Sequence, residues 1–140
     1  MLAIFLLAAA QAATVQSAPA TATIELAGLR NTKGWVRVCM TREPSHFPKC
    51  SSDPAALSQT VPATAPTAVF AKVPPGDYAV SVFHDENGNR KLDTMVAIPR
   101  EGFGFSRNPK LRFGPPRFKA VVVHIGPGSD HVPIRMQYLL

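Results

Sequence analysis

The chain has 140 residues, of which 46% are hydrophobic, 17% charged and 14 proline, with a formal net charge of +6. Proline at about twice its usual share of ~5% interrupts any long helix, and the length suits one domain with one modest core, which leaves no room for a second catalytic domain. What these quantities admit is a small, single-domain, all-β protein.

The chain opens with an apolar, alanine-rich run from Leu2 to Ala13, with no charge before Glu25. It is shorter than the ~20 residues of a membrane-spanning helix, and Ala10-Gln11-Ala12 has the small-x-small pattern of a cleavage site. The segment reads as an export signal over residues 1–12, with residue 20 as its outer limit, although no Lys or Arg follows Met1. The expected product is a periplasmic or secreted chain with no transmembrane segment after signal removal and one β-sandwich domain over residues 21–140. Cys39 and Cys50 agree with export, because a disulfide persists in oxidising compartments. Their C-x₁₀-C spacing matches no zinc pattern.

Strand signals follow in chain order. Ala22, Ile24 and Leu26 alternate with Thr23 and Glu25. In Trp35–Thr41, Val36, Val38 and Met40 share one face and Trp35, Arg37 and Cys39 the other. The stretch from Arg42 to Pro66 is broken by five prolines and reads as an irregular excursion, with a turn of helix near Asp53–Leu57. In Val73-Pro74-Pro75-Gly76-Asp77-Tyr78, Pro75 presets φ and Gly76 supplies a positive φ, so a tight turn feeds a strand with Tyr78, Val80 and Val82 on one face. Phe118–Ile125 reads as a strand buried on both sides, and Val132–Tyr138 as an edge strand, because Pro133 cannot donate to a ladder. The expected fold is a single antiparallel β-sandwich of about seven strands, immunoglobulin-like or prealbumin-like, with long loops.

Two segments look chemical. His84-Asp85-Glu86-Asn87-Gly88-Asn89-Arg90-Lys91-Leu92-Asp93 places Asp85, Asn87, Asn89 and Asp93 at positions 1, 3, 5 and 9 of a loop, with the Lys91 carbonyl at position 7, a spacing that suits Ca²⁺. Arg90 stands where such a loop wants Gly, and Val96 where it wants Glu; the same residues also suit a plain Asn-Gly turn with Asx capping. In the second segment, Arg100, Arg107, Lys110, Arg112, Arg117 and Lys119 face Glu101 alone, a net +5 within residues 100–119. Phe103, Phe105 and Phe113 interleave with them, so His84, Glu101, Phe103, Phe105, Arg107 and Arg112 form a candidate ligand face for an anionic, carbohydrate or protein partner. The alternative is that the phenylalanines fold back onto the sandwich. Nucleic acid is excluded as a partner for an exported chain, and a monomer is expected.

The blocks Val73-Pro74-Pro75-Gly76-Asp77-Tyr78, Phe83-His84-Asp85-Glu86-Asn87-Gly88-Asn89, Lys91-Leu92-Asp93 and Ile98-Pro99-Arg100-Glu101-Gly102-Phe103-Gly104-Phe105-Ser106 resemble a bacterial exported family, Domain of Unknown Function 2141. The resemblance runs from Gly34-Trp35-Val36 to Ile134–Tyr138. It implies a signal-bearing β-sandwich of unknown biochemical role; the family pattern has Gly where this chain has Arg90. No G-x-S-x-G, H-E-x-x-H or helical His pair is present. Asp85, Asp93 and Glu101 could supply a hydrolase carboxylate pair, yet the turn or an ion explains them better. The leading expectation is a non-catalytic binding or structural module of the cell envelope, followed by a calcium-stabilised adhesion or carbohydrate-binding domain, then a hydrolase.

Overall fold

The computed structural model describes residues 9–14, 18–91, 94–95, 98–111 and 114–139. Most of the expected signal segment, together with Asp93, Val96, Arg112 and Phe113, lies outside these residues.

Eight strands form two facing sheets. In the first, β1 (Ala20–Ala27) lies between β4 (Thr67–Val73) and β10 (Gly128–Arg135); in the second the order is β3 (Leu57–Pro62), β2 (Trp35–Thr41), β5 (Gly76–Asp85), β8 (Phe103–Phe105), with β9 (Val123–Ile125) extending β5 at its start. A separate two-residue pair, β6 (Thr94–Met95) and β7 (Ile98–Pro99), completes the strands, and the only helical elements among the described residues are short: 3₁₀ turns at Pro44–His46 and Cys50–Ser52 and α1 (Phe118–Val121).

Alternation sets the core. Ala22, Ile24 and Leu26 from β1, Val36, Val38 and Met40 from β2, Tyr78, Val80 and Val82 from β5, and Val132 and Ile134 from β10 interdigitate between the sheets. β1 pairs in parallel with β10 and antiparallel with β4, so the sandwich is mixed rather than wholly antiparallel. Pro133 lies on β10 at the edge of its sheet, where a missing N–H costs no ladder bond.

The excursions are more structured than their composition suggests. β3 lies inside the stretch read as irregular and pairs with β2 from Trp35↔Pro62 to Met40↔Leu57. It is half-exposed along its length, so it lacks a strong apolar signature. The turn expected near Asp53–Leu57 is a single hydrogen-bonded turn, with Ala56 N–H donating to the Asp53 carbonyl at 3.1 Å and Ala55 N–H to the Asp53 side chain at 2.8 Å; it does not extend into a helix, the 3₁₀ turn falls earlier, at Cys50–Ser52, and Leu57 already begins β3. Phe118–Ile125 is not one strand: α1 packs Val121 into a buried cluster before β9 begins. Gly76 does not adopt a positive φ; it is the first residue of β5, and a Cβ there would approach Arg42 Cδ to 3.0 Å, so space rather than turn geometry favours glycine.

A smaller apolar cluster covers the outer face of the five-stranded sheet. Phe103 and Phe105 from β8 point outward with Ala79, and Phe47, Leu111, Phe118 and Val121 cover them. Cys39 is on that outward face of β2, and its disulfide to Cys50 pins the 42–56 segment over the cluster. Phe47 then meets Phe105 and Phe118 edge-on, at centroid distances of 5.7 and 6.1 Å. On the other side of β8 the main chain of the C-terminal segment passes close. Phe103 and Gln137 exchange both backbone hydrogen bonds, at 3.0 and 2.8 Å, which joins the two sheets along one side. Glycine at 104 permits this approach, since a Cβ there would come within 2.7 Å of Ile134 Cγ2; at Gly102 it would enter the Tyr138 ring.

Candidate functional site

The candidate residues leave the sheet at the end of β5, where alternation sends neighbours to opposite faces. His84 points into the sandwich and is fully buried. Its Nε2 lies 2.6 Å from the Lys33 carbonyl, which can only accept, so the proton is on Nε2; in the neutral ring Nδ1 then accepts from the Tyr138 hydroxyl at 2.9 Å. The same hydroxyl accepts from the Arg30 backbone N–H at 3.2 Å. Arg30 folds over the Tyr138 ring, 4.7 Å from its centroid, and donates through Nε to Glu86 at 2.7 Å and through its terminal nitrogen to the Arg100 carbonyl at 2.9 Å.

This network shifts three groups. Burial pushes Glu86 upward, but the Arg30 hydrogen bond and charge, with Asn31 and His84, bring it to a net position below the ordinary carboxylate value. Arg30 is raised chiefly by its hydrogen bond to Glu86. Burial raises the Tyr138 hydroxyl. Glu101 is buried and accepts from the Glu86 backbone N–H at 2.6 Å. His84 and Glu101 therefore belong to a latch that ties β5, the β1–β2 loop and the C-terminal segment together.

Asp85 points to the outer face and is also fully buried. Its Oδ1 accepts from Asn89 N–H at 3.1 Å, and Oδ2 from Arg90 N–H and Arg37 Nε, each at 2.8 Å. Asn87 accepts from Asn89 N–H at 3.2 Å, and Asn89 from Lys91 N–H at 2.9 Å. These are successive Asx turns, and Gly88 and Arg90 take the positive φ values, 70° and 65°, that let the chain reverse. Arg37 from β2 supplies the positive charge beside Asp85. Among the described residues no group of three His, Cys, Asp or Glu side chains is placed to hold a metal ion.

Phe103 and Phe105 are buried in the outer cluster, so their faces are packing surfaces rather than exposed platforms. Ser106, next in the same motif, receives Val80 N–H at 3.1 Å on its hydroxyl and donates that hydroxyl to the Val121 carbonyl. Arg107 is exposed, and its guanidinium donates to the Lys119 carbonyl at 3.1 Å. The expected single ligand face is thus divided: His84, Asp85 and Glu101 hold the frame, the two phenylalanines fill the outer cluster, and Arg107 stands on the surface.

Sequence reasoning missed Arg30, Arg37 and Tyr138, because only strand register and the fold of the C-terminus bring them to residues about 50 positions or more away. It also missed Asn108, whose side chain acts as a strand fragment at the edge of β10: Nδ2 donates to the Pro133 carbonyl at 3.2 Å, and Oδ1 accepts from Arg135 N–H at 2.7 Å. Open clefts among the described residues flank the sheets. One, about 340 Å³, lies between Arg42, His46, Asp53 and Tyr78; another, about 470 Å³, between Arg107, Asn108, His124, Asp130 and His131. Among the described residues no helix is long and apolar enough to cross a membrane.

A family model described as an uncharacterized protein conserved in bacteria, DUF2141, matches residues 24–133. No curated protein and no solved structure matches the chain.

Proposed function

We propose, from the premise that the chain belongs to this bacterial DUF2141 family, that it is an exported, non-catalytic β-sandwich module of the cell envelope that binds an anionic partner through its exposed basic segment. One observation carries the reading. The side chains that look chemical in sequence, His84, Asp85 and Glu101, are buried and engaged in hydrogen bonds that hold the fold, while the cations of residues 107–119 that are described are exposed. A general base or nucleophile needs access to a reacting atom, and these groups lie beneath the surface. The Cys39–Cys50 disulfide supports an oxidising compartment.

Cell fractionation with thiol trapping tests the reading. Both cysteines are expected to resist alkylation until reductant is added, and the protein to appear in the periplasmic or secreted fraction. Free thiols in a cytosolic pool would overturn it.

A further inference from the structure

From Gly102 to Ser129 the chain contains no Asp or Glu. The start of this run is clipped to β10 through Asn108, whereas α1 covers the outer face of β5 and β8 and β9 pairs with β5; every described cation in the run is exposed. Arg107 donates to the Lys119 carbonyl at 3.1 Å, which joins the beginning of the run to α1. Asn108 clips the same stretch to Pro133 and Arg135, and Gln137 reaches the Pro109 carbonyl at 3.4 Å. Arg107 is thereby linked to the Lys119 main chain and its neighbour Asn108 to that of Arg135, Lys110 follows the Pro109 that Gln137 reaches, Arg117 directly precedes α1, and all five cations are exposed. Among the described residues none of the five forms a salt bridge. Asp130 lines a cleft with Arg107 and accepts from the Gly126 N–H at 3.1 Å, while Asp77 contacts His124 at 2.8 Å and Glu25 contacts His131 at 3.0 Å, so none of these carboxylates bridges one of the five cations.

We infer that this basic surface docks the protein on a bilayer rich in anionic phospholipid, with Arg107, Lys110, Arg117, Lys119 and Arg135 facing the phosphate headgroups. The inference rests on the proposed export and names the partner. Charge complementarity selects the occupant. An unpaired basic cluster gains from an extended negative surface through many weak contacts, and the large exposed apolar side chains among the described residues, Trp35, Val69 and Leu139, lie outside the 102–129 run. The association is consequently electrostatic and reversible, and salt weakens it.

Co-sedimentation of the full chain, disulfide intact, with vesicles tests the inference. Vesicles of 30% phosphatidylglycerol in phosphatidylcholine are expected to bind the protein at ~0.05 M salt and release it at ~0.5 M, whereas pure phosphatidylcholine binds little. Lys110→Glu/Arg117→Glu, which touches no hydrogen bond between side chains, is expected to lower the partition coefficient by roughly a hundredfold or more. Lys33→Glu/Lys72→Glu carries the same net charge with the reversals in the β1–β2 loop and on β4, and is expected to bind several-fold more tightly than the first pair. Equal loss in the two variants would reduce the effect to net charge and overturn the docking surface. Binding that ignores salt and lipid charge would assign it to the apolar N-terminal residues and likewise overturn it. So would capture of a soluble anionic polysaccharide at charge concentrations where vesicles bind nothing. Absence of vesicle binding by a protein whose cysteines are oxidised in cells removes this inference alone; reduced cysteines remove the proposed function.

Discussion

At the scale of the residue, the motif around the end of β5 is a set of buried polar groups that must be satisfied together. Asp85 is fully buried and Arg37 is its only ion-pair partner among the described residues. Removing a partner from a buried pair leaves a desolvated charge behind, so Arg37→Met is expected to cost about 2–4 kcal/mol in urea unfolding, toward the low end because Arg37 is partly exposed. A loss under about 0.5 kcal/mol would mean that the backbone N–H groups of Asn89 and Arg90 suffice for the carboxylate. Millimolar Ca²⁺ is expected to leave the melting temperature of the wild type unchanged, since Arg37 already stands beside the carboxylate; a rise of several degrees would restore the ion reading of the turn. Glu86 behaves differently because it is nearer the surface. Its carboxyl is held below the ordinary value, so its contribution is present above the unfolded pKa of about 4.3 and is lost as the pH falls through the lower folded value. Arg30→Met is expected to destabilise by about 1 kcal/mol at pH 7, with the charge-dependent part of that deficit vanishing in the acid range below about pH 4. A deficit that is constant from pH 7 to pH 3 would assign the role of Arg30 to its stacking on Tyr138 alone.

At the scale of the element, the disulfide and Phe47 do one job: they press the 42–56 segment onto the outer face of β5 and β8. Closing an 11-residue separation removes unfolded-state entropy worth about 2–3 kcal/mol, and burying an aromatic ring against two others adds a comparable amount. Cys39→Ala/Cys50→Ala is expected to lose about 2–3 kcal/mol by denaturant titration. Phe47→Ala is expected to lose less in that background than in the oxidised protein, because a segment already released has fewer contacts to lose. Strict additivity would show that the ring and the disulfide act on separate parts of the fold. The strands most legible in sequence were those with one clean apolar face. The read boundaries of Trp35–Thr41 coincide with β2, and the facing of Tyr78, Val80 and Val82 holds in β5. β3 escaped because Leu57-Ser58-Gln59-Thr60-Val61-Pro62 is an edge strand with only two apolar residues before its terminal proline, and α1 because four residues are too few to show a helical period.

At the scale of the whole molecule, what the sequence could not reveal was closure. The alternation in β1 and β10 is readable, but nothing local says that the first and last strands lie side by side in parallel, or that the chain beyond β10 crosses to β8. The structural part of the candidate residues was hidden for the same reason: the blocks ending at Asn89 and Ser106 look like a ligand loop, and closure shows that they also fasten the two sheets. Tyr138 seals His84, Gly102 and Gly104 make room for the crossing segment, and Phe103 pairs with Gln137 through the main chain. If this seam is part of one cooperative unit, its loss is felt globally. Removing residues 136–140 deletes a buried Met136, the Tyr138 cover and both seam hydrogen bonds, and exposes the free edge of β8. The truncated chain is expected to melt about 10–20 °C lower and to self-associate on heating, a drop that corresponds to a loss of about 3–5 kcal/mol in a domain of this size. Gln137→Ala separates the backbone from the side chain. Because the seam bonds are main-chain bonds, that substitution is expected to stay within about 0.5 kcal/mol of wild type by calorimetry. A truncated chain that melts with the wild type would place the seam outside the cooperative unit and leave the two sheets held by their apolar core alone.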